Sequence, residues 1–246
     1  MHRDAGPHLD AGVAAIADPA TASPTADAIR QDMIRACRVL DGMGLVEAFG
    51  HVSARLPNAD MLITPARGPG LAREEQLLSF SPEGECVGGE AESAPLERWM
   101  HLAIYGARPD VQAICRTHSR MAAALGTARM PIRAAHGFGG MLGMEVPVYD
   151  ETDLITNAAM GQSVAAALGH RTAILLRGNG ALVTGGSLSQ ACIRAVYLEE
   201  AAWMQVVAVG VGGALPLTVE ELQARARWYD VEVARAWEYY TTKFAS

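Results

Sequence analysis

Apolar residues at three- and four-residue steps open the patterned part of the chain. Ile29, Met33, Ile34, Cys37 and Leu40 fall on one face of a helix that begins near Thr25 and ends at Gly42 and Gly44. The period then drops to two. Val52, Ala54 and Leu56 alternate with Ser53 and Arg55, which predicts a strand, and Met61 to Thr64 predict a second. Pro57, Asn58, Ala59 and Asp60 supply the turn between them. Residues 75–90 read as short strands and turns. A helix follows from Pro95, with Leu96, Met100, Ala103 and Ile104 on its buried face and Glu97 and His101 four apart on one side. Pro109 ends it, because a proline disfavours helical geometry at the residue before.

Val111 to Cys115 predict a buried strand from whose end Arg116, Thr117 and His118 emerge, and Ala122 to Leu125 begin another helix. Residues 127–150 read as loop around the glycine-rich stretch at 136–143, closed by a short strand at Val146 to Asp150. A helix is expected from about Asp153 to Leu168. Ala173 to Leu176 form an apolar strand closed by Arg177, Gly178, Asn179 and Gly180, and Leu182 and Val183 continue as a strand. Ser187 with Gln190, and Thr218 with Glu221, read as capping boxes for a long helix to about Val209 and a last helix to about Tyr240. No repeat or linker interrupts this pattern, so 25–246 is expected to be one domain of α/β class. Residues 1–24 carry too few bulky apolar side chains to fold alone and are expected to be a flexible arm, with His2 and His8 solvated.

Composition narrows the function. Half of the 246 residues are apolar, 19% are charged and the formal net charge is −7, with no run of Lys and Arg. Nucleic-acid binding, which needs clustered cations, is therefore not expected. No apolar run is long enough for a membrane span, the first residues do not read as a secretory signal, and a cytoplasmic protein is expected. Cys37, Cys86, Cys115 and Cys192 are scattered and read as reduced, mostly buried thiols.

The candidate chemistry gathers at two strand ends. Glu97, His101, Arg116 and His118 belong to one helix–strand unit, and Asn179 sits in the second strand end. A pair two apart at a strand end points both side chains the same way, which would suit two metal-binding imidazoles. Here the first of the two is Arg116, which stays protonated and has no lone pair to give a metal. Gly50 ahead of His51 and Ser53 lets backbone N–H groups approach a ligand, and Thr64, Arg67, Gly68 and Gly70 suit an anion such as phosphate or carboxylate. His101 reads as a helix-packing histidine and His170 as part of a surface turn.

The chain resembles the class II aldolase/adducin family. The pieces that carry the resemblance are Gly50 to Leu56, Leu62 to Pro65, the Glu97 helix, His101 to Ile114, Arg116 to Ser119, Val146 to Asp150, Leu175 to Gly185 and Ser187 to Gln205, in the family's order. The last two are most similar to the branch of aromatic and pyridine-ring carboxylate decarboxylases. The resemblance implies a three-layer α/β/α fold, a homotetramer with sites at subunit interfaces, and a Zn or Mn ion held by three histidines and a glutamate. Glu97 fits the glutamate and His118 one histidine, but Arg116 and Asn179 stand at the other two histidine positions. C-terminal side chains such as Tyr240 are lent to a neighbour's site in the family.

Three arrangements stay open on the sequence. Glu97, His118, Asn179 and His136 could hold a metal. Alternatively Arg116 replaces the ion and grips an anion or enolate, with Glu97 or His118 moving protons and Gly50, His51, Ser53, Thr64, Arg67 and Tyr240 holding the substrate. In the third, Glu97 and Arg116 form an ion pair in a site without activity. The expected activity is a lyase of small anionic, carboxylated or carbonyl substrates, by decarboxylation or retro-aldol cleavage. The alternative is an inactive member that binds or assembles.

Overall fold

The computed structural model describes residues 24–245, so the arm expected over 1–24 lies, except for Pro24, outside the described residues. Helix α1 (Ala26–Gly42) starts where the Thr25 hydroxyl accepts from the Ala28 N–H. It ends at Gly44, whose φ of +68° suits glycine. Strands β1 (His51–Arg55), β2 (Met61–Ile63), β3 (Leu78–Phe80) and β4 (Cys86–Gly88) follow as antiparallel neighbours. Helix α2 (Arg98–Ala107) leads to β5 (Ala113–Thr117) and α3 (Arg120–Thr127). Two short strands, β6 (Ile132–Arg133) and β7 (Glu145–Val146), pair apart from the main sheet. Then come β8 (Val148–Tyr149), α4 (Ala158–Leu168), β9 (Ala173–Leu176), β10 (Gly180–Gly185), α5 (Leu188–Ala208), α6 (Val219–Ala226) and α7 (Tyr229–Lys243).

The main sheet has the order β4-β3-β2-β1-β5-β10-β9-β8, antiparallel except for the β8–β9 pair. Alternation along its strands builds two cores. Val52, Ala54, Ala113, Cys115, Ala181 and Val183 pack with α1, α3 and α5 on one face. Met61, Ile63, Ile114, Ile174 and Leu182 pack with α2 and α4 on the other. The result is the expected α/β/α layering. Cys37, Cys115 and Cys192 are buried, and burial raises all three thiols, Cys37 to about 12, so they are un-ionised fillers of the first core.

Several boundaries differ from the pattern reading. Helix α2 starts at Arg98 rather than Pro95, which leaves Glu97 as its N-terminal flank. Strand β5 begins two residues later than expected and runs to Thr117, because β1 and β10 pair with it that far and so draw Arg116 into the sheet. Helix α4 starts at Ala158, where the Asn157 side chain caps the Met160 N–H. The Ser187 hydroxyl caps the Gln190 N–H, but the Gln190 side chain bonds Gly186 instead of closing the box. Thr218 and Glu221 do form a reciprocal box, yet the last helix is two, broken at Arg227 and Trp228.

Helices α2 and α4 touch where Gly161 faces the Trp99 carbonyl, so closely that a methyl group at 161 would overlap that backbone. Gly161→Ala is therefore expected to lower stability by about 1–3 kcal/mol. Urea unfolding checks this, and an unchanged midpoint would mean that the two helices separate freely.

Candidate active site

Register places the polar groups. In the β1–β5 pair His51 lies opposite Arg116. The neighbours of these residues, Val52 and Cys115, point into the α1/α5 core, so His51, Ser53 and Arg116 share the other face, beneath α2. Glu97, at the start of α2, brings its carboxylate onto them. Its Oε2 lies 3.4 Å from Arg116 Nε and 3.4 Å from His51 Nε2. Asn179 Nδ2 donates to its Oε1 at 3.3 Å. Next to Asn179, Gly180, at φ +95°, passes so near the Thr117 carbonyl that a Cβ would overlap it. Gly50, at φ +114°, lies against the Arg116 carbonyl, with 2.9 Å between that oxygen and the place of a Cβ. This glycine fits the strand to its neighbour.

Behind the carboxylate runs a chain of buried polar contacts. His51 Nδ1 lies 2.8 Å from His101 Nε2, and His101 Nδ1 lies 2.7 Å from Ser53 Oγ. Ser53 Oγ lies 2.9 Å from the Tyr105 hydroxyl. His101 is thus part of the site, where the sequence suggested plain packing. The available signal was its position four residues after Glu97, combined with the parity that puts Ser53 on the same face.

Burial alone would raise the Glu97 carboxyl, but the His51 hydrogen bond and the Arg116 charge hold it below the usual carboxylate value. Burial lowers His51 against the pull of Glu97, and lowers His101 further with help from His51 and Arg116. Burial also lowers the fully buried Arg116 guanidinium, and Glu97 works against that shift. One of its nitrogens, Nη1, donates to the Thr117 carbonyl, while Nε and Nη2 have no hydrogen-bond partner. His118 is only half-buried, and desolvation followed by the Arg116 charge takes it to about 4. It lines a cleft with Gly44 to Phe49 and Arg120.

The structure therefore brings Glu97, Arg116, Asn179 and His51 together, with His118 close enough to feel the Arg116 charge. Other expected site residues lie elsewhere. Thr64 is buried and accepts from the Val52 N–H, so it fastens β2 to β1. Ser53 is fully buried and held by His101 and Tyr105, out of reach of a substrate. Arg67 is exposed in a different cleft, lined by Pro65, Glu75, Gln76 and Glu90. His136 is half-buried near Glu200, edge-on to Phe138, with Nε2 unpartnered. Tyr240 stacks on Phe244 and packs into its own chain's core.

With this geometry in view, the description "Class II Aldolase and Adducin N-terminal domain" matches residues 31–206. The chain belongs to that family. A 3,4-dihydroxyphthalate decarboxylase of Terrabacter sp. is 32% identical over 210 residues, covering 79% of this chain and 87% of that protein. The decarboxylase of the same description from Arthrobacter keyseri is 33% identical, covering 76% and 81%. An L-fuculose phosphate aldolase of Haemophilus influenzae is 28% identical, covering 78% and 89%. Among solved structures, an L-fuculose 1-phosphate aldolase superposes with a TM-score of 0.76 at 26% identity, covering 84% of this chain and 98% of that one. These relatives are carbon–carbon lyases, and the resemblance in sequence and fold supports an enzymatic role.

A divalent metal, which the family implies, does not fit the residues present. Zn or Mn asks for three or four converging donors. Among the described residues, no group of three His, Cys, Asp or Glu side chains is arranged so that it could hold a metal ion. Glu97 and His118 remain, but Asn179 turns its N–H toward Glu97, His136 stands apart, and Arg116 adds a full positive charge beside the carboxylate.

The shifts of Glu97, His51, His101 and His118 all point downward. Each group then binds protons less readily when folded, so stability is present at neutral pH and falls as acid protonates the unfolded chain first. For His118 the window runs from the ordinary 6.5 down to about 4. A histidine NMR titration is expected to show the His118 midpoint near 4, with urea stability declining through that range. A midpoint at the ordinary value would contradict the burial of His118 and the influence of Arg116.

Proposed function

We propose that this chain is a carbon–carbon lyase of the decarboxylase type, acting on a small carboxylated aromatic substrate, in which Arg116 supplies positive charge at the metal position. The observation that carries this reading is a fully buried guanidinium that faces Glu97 through Nε at 3.4 Å and leaves Nη2 without any partner. A buried charge is poorly screened. The Arg116 charge, which adds to burial in lowering His118, favours an anion held beside it, and favours the transition state in which charge moves onto a substrate oxygen.

The residues then divide the work. His118, neutral above about pH 4, accepts the proton of a substrate hydroxyl next to the carboxylate. The imidazolium so formed gives that proton to the ring carbon as its bond to the carboxylate breaks. The electron pair stays in the ring, carbon dioxide leaves, and the hydroxyl regains a proton from solvent. Glu97 balances Arg116 and orients it, and Asn179 fixes Glu97. Gly50 and His51 border this group, whereas Ser53 and Thr64 are buried on partners of their own, Arg67 lies in another cleft and Tyr240 packs against its own chain's core. Trp203, Val207, Val209, Val211 and Leu215 are exposed around the end of α5, which suits a subunit contact in a homo-oligomer. Among the described residues no helix is long and apolar enough to cross a membrane.

A second reading, an inactive member with a binding role, is favoured by the complete burial of Arg116. Carbon dioxide release from 3,4-dihydroxyphthalate, measured on protein exposed to a chelator, separates the two. Turnover is expected, with a fall of about 10²–10³-fold in kcat for Arg116→Met and partial retention in Arg116→Lys. Turnover that appears only on adding Zn or Mn, or an Arg116→Met enzyme as fast as the parent, would overturn the proposal. No turnover on this or other hydroxylated aromatic carboxylates would favour the inactive reading.

A further inference from the structure

The contacts behind Glu97 have a direction. The Tyr105 hydroxyl has one hydrogen-bond partner among the described residues, Ser53 Oγ. Tyr105 and Ser53 are both buried, so an unpartnered O–H at that end would have no water to turn to. The tyrosine is also pinned in place. The Arg55 guanidinium lies 4.9 Å from its ring centroid and donates to its backbone carbonyl at 2.7 Å. At the opposite end sits a carboxylate beside an arginine, which accepts and does not donate.

We propose that Tyr105, Ser53, His101 and His51 form a one-way hydrogen-bond chain that makes His51 a fixed donor to Glu97, with His101, Ser53 and Tyr105 as positioning residues. The proton count allows one arrangement. Tyr105 donates to Ser53 Oγ. Ser53, its oxygen so engaged, donates its own proton to His101 Nδ1. His101 then carries its proton on Nε2 and donates to His51 Nδ1, and His51 carries its proton on Nε2 and donates to Glu97 Oε2. Four protons serve four contacts and every donor is used. The reversed chain needs a protonated Glu97 next to Arg116 and leaves the Tyr105 proton without an acceptor. The N···N contact of 2.8 Å between the two imidazoles holds a single proton, so the tautomer of one ring dictates that of the other.

This is not a nucleophile with its base, although a serine, two histidines and a carboxylate stand in line. Ser53 is fully buried and its oxygen is used on both sides. The chain acts on Glu97 instead. It gives the carboxylate a fixed N–H from beneath, while Arg116 and Asn179 hold its remaining contacts. The bearing on catalysis rests on the lyase reading above, but the direction of the chain does not.

The test is spectroscopic and needs no substrate. In full-length protein labelled with ¹⁵N-histidine, long-range proton–nitrogen correlation at neutral pH is expected to show both His51 and His101 neutral and protonated on Nε2. In Tyr105→Phe the same tautomers should persist, because the Ser53 hydroxyl still has only His101 Nδ1 to donate to. In Ser53→Ala the ionised Glu97 still holds the proton on His51 Nε2 and, through the shared contact, on His101 Nε2, so the tautomers should persist. In the Ser53→Ala/Glu97→Gln double variant both ends lose their bias, and the His101 and His51 nitrogens should move toward averages of two tautomers. A role confined to packing would leave the tautomers of the double variant as in the parent. That result, or a proton on Nδ1 of either ring in the parent, would overturn the proposal. The parent spectrum decides by itself should the double variant not fold. Absence of turnover in a parent protein that shows the expected tautomers would count against the lyase reading alone.

Discussion

The ion pair between Glu97 and Arg116 is the contact on which the site depends. It joins the start of α2 to the middle of the sheet, and both partners are buried. A buried charge without a partner is strongly destabilising, so neither residue is free to vary alone. The pair also sets the charge state of its surroundings. Arg116 helps to keep Glu97 ionised and His118 neutral, and Glu97 supplies the acceptor that orients His51 and Asn179. The rest of the site can be read as what remains possible once these two charges face each other.

Much of the fold was legible because residue type in this chain follows clean periods. The three-four step of α1 names its element and its buried face, whereas the alternation of β1 and the apolar run of β9 name strands that are buried on both faces. The boundaries that moved did so for tertiary reasons. Pairing on both sides carries β5 to Thr117, and an Asn157 cap starts α4 later than the pattern suggests. The break between α6 and α7 has no proline or glycine to announce it.

The site was legible in part. Glu97, Arg116, His118 and Asn179 stood out as polar groups at two strand ends, and the family resemblance matched them to its site positions; that His51 lies opposite Arg116 comes from the β1–β5 register. The surroundings of the hydroxyls were not legible. Thr64 and Ser53 look like ligand-binding hydroxyls in sequence, but their partners are a backbone N–H and a histidine, and only three-dimensional packing reveals that. Arg67 and His136 lie on loops whose path no period specifies. The polar chain from Tyr105 to His51 needs the register of β1 against α2, which local pattern does not contain.

The central claim is that a fixed guanidinium stands where the family places a metal. Elemental analysis of protein purified without chelator and without a metal-binding tag tests it most directly. The account predicts Zn, Mn and Fe far below one per chain, with no stoichiometric uptake on adding Zn or Mn. About one such ion bound per chain, lost on replacing His118, would contradict it.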